Sequence, residues 1–143
     1  MNTTTLHPTR FLRLALLGDA AASGATGLLL AAAAGPLAGL LGLPEPLLRV
    51  AGLVLLPYAA IVARIGTRNP PSRDAVRAVV AINLVWVADS LLLLALGPAV
   101  AGLAPGALGV AFVLFQAAVV LGFAVAQWMA LRRASGAPAE AFA

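Results

Sequence analysis

The chain has no cysteine, no lysine and a single histidine. Without cysteine there are no disulfides, no thiol chemistry and no cysteine-built metal site. The one histidine, His7, precedes the first apolar run, so a haem or metal centre among the apolar segments would lack its usual ligands. Charge is scarce as well: only 10% of the 143 residues carry it, against about a quarter in an ordinary soluble domain. Apolar residues fill the gap and make up 62% of the chain. That excludes an ordinary soluble domain, and it excludes a disordered chain, which is low in hydrophobicity. It is the composition of a polytopic membrane protein.

Four apolar runs reach the roughly 20 residues that a helix needs to cross the hydrocarbon core. They are Phe11–Ala34, Pro46–Ile65, Asp74–Leu96 and Gly106–Leu131. They predict an all-α fold, a four-helix transmembrane bundle forming one domain over residues 1–143. Gly35-Pro36 is expected to break the first run, leaving "LAGLLGL" as a lip or a short interfacial helix. Pro46 suits a first helical position. Ser72 is a candidate cap for the third helix, and Asp74 favours its positive end. Gly97-Pro98 and Pro105-Gly106 are expected to bound the last loop. The first run follows basic residues as a signal peptide would. Asp19 interrupts it, however, and the apolar character continues past Ala25, so it reads as an uncleaved helix.

The net charge of +4 comes from nine arginines against five acidic residues. A basic balance is one footprint of nucleic-acid binding. Here the arginines flank apolar runs, so the expected partner is the lipid bilayer and not nucleic acid. Arg10 and Arg13 precede the first run. Arg64, Arg68, Arg73 and Arg77 surround the loop "RIGTRNPPSR", and Arg132 and Arg133 follow the fourth run. These eight would share one side and leave Arg49 on the other. The positive-inside rule then predicts cytoplasmic N and C termini. Arginine in place of lysine, with abundant Ala, Gly and Pro, fits a GC-rich bacterial genome. Anionic lipid headgroups are a second use for the arginine loop.

The stretches "DAAASGATGLLLA", "AGPLAGLLGLP", "RVAGLVLLPYA", "INLVWVADSLLLL" and "FQAAVVLGFAVAQW" carry a resemblance. Over Leu14 to Arg133 the chain resembles a group of small four-helix bacterial membrane proteins. The resemblance implies a multi-pass protein of the inner membrane and brings no activity with it. In size the chain is also similar to the small multidrug resistance exporters, whose motif is a membrane-embedded glutamate in helix one. Its own glutamates, Glu45 and Glu140, lie outside the runs, so no residue role carries over.

The polar residues inside the runs are the candidate ligand or ion-binding residues: Asp19, Tyr58, Asn83, Trp86, Asp89, Ser90 and Gln116. At 1.5 Å per residue, Asp19 lies roughly 9 Å beyond Arg13, and Asn83 the same depth beyond Arg77. Tyr58 is at a similar depth from Arg64. Asp89 lies roughly 18 Å in, with Ser90, Ser23, Thr26 and Gln116 at comparable middle depths. Two tiers are therefore expected. Asn83, Trp86 and Ser90 share one helix face by their three-four spacing, with Asp89 on the adjoining flank. Asp19, Ser23 and Thr26 share another.

A carboxylate at mid-bilayer costs roughly 2.5–3.5 kcal/mol even on the milder scale, so Asp89 and Asp19 default to a functional reading. Against it stands a packing role, which weighs more for Asp19, close enough to the headgroups to pair with Arg13 or Arg77. In a packing role Asp89 would be a neutral donor to Gln116 or a helix-one hydroxyl; in a functional one it would bind a proton or cation. Asn83 and Gln116 are expected to bond between helices, and Trp86 to pack or to face an organic cation. No Ser-His-Asp set, phosphate loop or paired-carboxylate site is present, so the reading is not enzymatic and calls for no cofactor. The preferred function is transport or binding of a small molecule or ion. The competing one is an accessory or structural subunit whose polar groups lock helices together. Small residues at close spacing, Ala20, Gly24 and Gly27 and then Ala118, Gly122 and Ala126, predict close helix packing and a homo-oligomer.

Overall fold

The structure, a computed structural model, describes residues 9–135. His7 and Glu140 lie outside that range. The described chain is all-helical: α1 Arg10–Ala32, α2 Ala34–Leu41, α3 Glu45–Thr67, α4 Arg73–Ala101 and α5 Ala107–Ser135. All but α2 are long and apolar enough to cross a membrane.

The helix ends follow from local chemistry. Thr9 caps α1, its hydroxyl accepting from the Leu12 N–H at 3.3 Å. A proline has no N–H for the carbonyl four residues back, and its ring collides with that carbonyl. For Pro36 that residue is Ala32, where α1 ends. The chain bends at Ala33 and resumes as α2, with Pro36 in the first turn, where its missing N–H is harmless. The expected lip is thus a helix of 8 residues. Its last carbonyl, from Leu41, accepts from the Gly106 N–H at 3.0 Å and ties α2 to the start of α5. Ser72 caps α4 as expected, accepting from the Ala75 N–H at 3.4 Å.

Each long helix departs from its expected limits by a residue or more, most of all at the ends of α4 and α5. α3 begins at Glu45, which forms an ion pair with Arg49 one turn on. α4 does not stop at Leu96 but passes through Gly97-Pro98 to Ala101. Proline's fixed φ is compatible with a helix, so Pro98 removes one hydrogen bond without ending it. The true stop is Gly102, left-handed at φ 62°, after which the Leu103 N–H returns to the Gly97 carbonyl at 3.1 Å.

α1 packs along α3, α4 packs along α5, and α1 against α5 joins the two pairs. α3 and α4 touch only slightly. The α1–α3 seam is very close. A Cβ placed on Gly52 would lie 2.5 Å from the Ala31 nitrogen and 2.8 Å from the Gly27 carbonyl oxygen. Small residues thus let two backbones meet, and Gly24 and Gly27 of α1 face α3 within this chain. On α5, Ala118 and Gly122 face outward instead.

The core is divided. One apolar cluster, with Leu12, Leu16, Val62 and Val76, lies toward one end, and a second, with Leu30, Leu41, Leu48 and Val113, toward the other. Large apolar side chains also point outward from every long helix, among them Leu28, Val50, Leu92 and Phe115. The arginines gather at the first end. Arg10, Arg13 and Arg68 line one pocket. Arg73 Nη2 donates to the Leu131 carbonyl at 3.5 Å, and the Arg133 guanidinium lies 5.9 Å from the centre of the Phe11 ring. The starts of α1 and α4 and the ends of α3 and α5 therefore share one end.

Candidate functional site

Between the two apolar clusters lies a polar level to which α1 contributes two residues and each other long helix one. Asp19 of α1 is fully buried and meets four polar side chains. Its Oδ1 accepts from the Ser23 hydroxyl at 3.2 Å. Its Oδ2 accepts from Asn83 Nδ2 of α4 and from Gln127 Nε2 of α5, both at 2.8 Å, with the Tyr58 hydroxyl of α3 at 3.2 Å. That hydroxyl lies closer to Asn83 Oδ1, at 2.7 Å, and leads its proton there. Asn83 Nδ2 also reaches Gln127 Oε1 at 3.4 Å. An ionised carboxylate offers about four acceptor sites. Ser23, Asn83 and Gln127 supply three neutral donors, the Tyr58 oxygen stands beside them, and no cation pairs with Asp19 among the described residues.

Asp19, Tyr58 and Asn83, expected at one depth, do come together. Ser23, expected in the deeper tier, joins them through its four-residue spacing from Asp19. The sequence reading missed Gln127. A signal for it existed: Gln116 and Gln127 are eleven residues apart, three helical turns, and so share a face. Neither Arg13 nor Arg77 reaches Asp19, and Arg77 pairs with Asp74 at 3.3 Å instead.

A second, smaller network joins α4 to α5. Trp86 Nε1 donates to Gln116 Oε1 at 2.8 Å, Gln116 Nε2 donates to Ser90 Oγ at 2.9 Å, and Ser90 Oγ donates to the Trp86 carbonyl at 2.8 Å. These bonds satisfy Gln116 and Ser90 without Asp89. Asp89 is exposed, and among the described residues it makes no hydrogen bond or ion pair. The expected placement of Asp89 inside the bundle is corrected, and the packing alternative, a bond to Gln116 or a helix-one hydroxyl, is not formed. Asp89 lies some 100° around α4 from Ser90, and that rotation takes it out of reach of the α5 amide.

That flank of α4 leads to a cavity. Ile82, Trp86, Asp89 and Leu93 repeat at four, three and four and line one stripe of α4. Leu47, Ala51, Val54 and Tyr58 repeat identically on α3. The two stripes face each other but barely meet. Behind the gap is a space of about 340 Å³, floored by Asp19, Ser23 and Thr26 and backed by Phe112, Phe115 and Phe123. A further space of about 310 Å³ continues toward the other end with Asp89 on its wall, and Thr26, Val54, Trp86, Phe112 and Gln116 line both. Each volume falls at the small end of the range for organic-ligand pockets, about 300–1,000 Å³. The lining is aliphatic and aromatic except for a few polar groups; among the described residues the Asp89 carboxylate and the Thr26 hydroxyl are the ones without a side-chain partner.

No known family model matches the chain, and no curated protein or solved structure does. The likeness to small four-helix bacterial membrane proteins therefore rests on sequence pattern alone.

Proposed function

We propose that the chain is a multi-pass protein of the bacterial inner membrane, with both termini cytoplasmic, and that it binds or carries a small lipophilic molecule bearing a cationic group. The α3–α4 gap supports this most directly. It opens an apolar, aromatic-lined cavity toward the outside of the bundle, and an unpartnered carboxylate stands on its wall. A hydrophobic cation has its apolar body suited by Val54, Phe112 and Leu93, and its charge by Asp89 and the Trp86 ring. Entry is lateral, from the bilayer, because the opening lies between two apolar helices. The eight arginines at one end support the orientation.

Tetraphenylphosphonium and a tertiary amine serve as probes. In a Trp128→Phe background, Trp86 is the sole tryptophan and reports on the cavity. Saturable quenching or a spectral shift is expected, with affinity about tenfold weaker in Asp89→Asn. A flat response in the otherwise native protein to both probes overturns cavity binding. Equal affinity in Asp89→Asn removes that residue from the site.

A second reading rests on a different observation. Asp19 is so well satisfied by polar partners from all four long helices that it can serve purely as a lock, as in a structural or accessory subunit. Under that reading the cavity is filled by lipid chains and Asp89→Asn is silent.

A further inference from the structure

We infer that the pocket between the start of α1 and the α3–α4 loop is a binding site for the phosphate of an anionic lipid headgroup. It encloses about 270 Å³ and is lined by Thr9, Arg10 and Arg13 on one side and Gly66, Arg68 and Asn69 on the other. Among the described residues no acidic side chain lines it. The Arg10, Arg13 and Arg68 guanidiniums make no hydrogen bond or ion pair among the described residues. Two other arginines do have acidic partners, Arg49 with Glu45 and Arg77 with Asp74.

Three like charges brought to one cavity without a counter-charge repel each other, and a bound anion turns that repulsion into attraction. The planar guanidinium fork matches phosphate oxygens bidentately, and the Asn69 amide adds a neutral donor. The positive end of the α1 dipole points into the same place. The floor is apolar, with Leu16 and Pro71 both buried, which suits the glycerol end of a lipid better than a free, fully hydrated ion. The pocket also lies where α1 begins and α3 ends, at headgroup level if the helices cross a bilayer. The inference rests on the membrane part of the proposed function and is independent of any ligand in the central cavity.

The test uses the full chain reconstituted in phosphatidylcholine, with and without phosphatidylglycerol, and native mass spectrometry of the protein released from mild detergent. The protein is expected to retain phosphatidylglycerol in preference to phosphatidylcholine. In Arg13→Gln/Arg68→Gln that preference should fall by about tenfold or more, while Arg132→Gln/Arg133→Gln, which removes the same charge from the same end, keeps it. Equal loss in both double variants overturns the pocket in favour of diffuse surface charge, and equal retention in both overturns it outright. Inorganic phosphate is added in a separate arm. If it displaces phosphatidylglycerol at millimolar concentration, the lipid source is overturned. Failure of the protein to insert into either vesicle defeats the membrane reading itself, and is distinguished by flotation before any lipid is counted.

Discussion

Asp19 and Asp89 are chemically the same and differ in what surrounds them. Asp19 has four polar partners and no exposure, while Asp89 has exposure and, among the described residues, no partner. The first arrangement predicts how substitution behaves. In Asp19→Asn the amide oxygen can take the Oδ2 position and keep the bonds from Asn83 and Gln127. Its NH₂ then points at the Ser23 hydroxyl, which can accept. The cost should be small, about 1 kcal/mol. Asp19→Leu keeps the volume and removes every acceptor, stranding buried amide donors at about 1–3 kcal/mol each. Thermal unfolding in detergent should rank native, Asn and Leu in that order, with the larger step at Leu. An Asn variant as unstable as the Leu variant would mean that the charge itself holds the helices.

At the scale of the helix, glycine has two meanings here. Gly52 lies against the backbone of α1, and an added Cβ would sit 2.5 Å from the Ala31 nitrogen. Backbone cannot swing aside as a side-chain tip does, so Gly52→Ala should part the α1–α3 seam and cost about 1–3 kcal/mol. Gly122 has nothing within 4 Å of where its Cβ would be. Gly122→Ala should leave the fold intact or strengthen α5 by about 0.5–1 kcal/mol, as alanine does for glycine within a helix. The pair is checked by unfolding both variants side by side, and a similar loss in each would contradict the close seam. Since Gly122 and Ala118 face outward on α5, any effect of Gly122→Leu should fall on association between copies, read by cross-linking in mild detergent.

For the whole molecule, the arrangement of charge is what orients it. The starts of α1 and α4 meet the ends of α3 and α5 at one pole, and eight of nine arginines lie there or in the segments beside it. Moving arginine across a bilayer is costly, so that pole should remain in the cytoplasm. A fluorescent-protein fusion at either terminus should glow, and alkaline phosphatase at either terminus should be inactive. Phosphatase activity at one end alone would require an odd number of crossings. Shifting Arg64, Arg68, Arg73 and Arg77 together to glutamine removes half of the signal and should yield a mixed population.

Four helices, their approximate limits, the cap at Ser72 and the break before Pro36 could all be read in sequence, because each depends on interactions within one or two turns. Run length, a capping hydroxyl and a proline ring act locally. The shared depth of Asp19, Tyr58 and Asn83 could also be read, since rise per residue is constant and the arginines mark a common origin. What could not be read was which helices touch. Helix neighbours in a bundle depend on close fit between faces, here the Gly27–Gly52 approach that joins α1 to α3. That choice leaves the two matching stripes of α3 and α4 facing each other unpacked, and the cavity is the result. It also brings in Gln127 and leaves Asp89 outside, because a rotation of one residue about α4 separates a group that meets α5 from one that meets none.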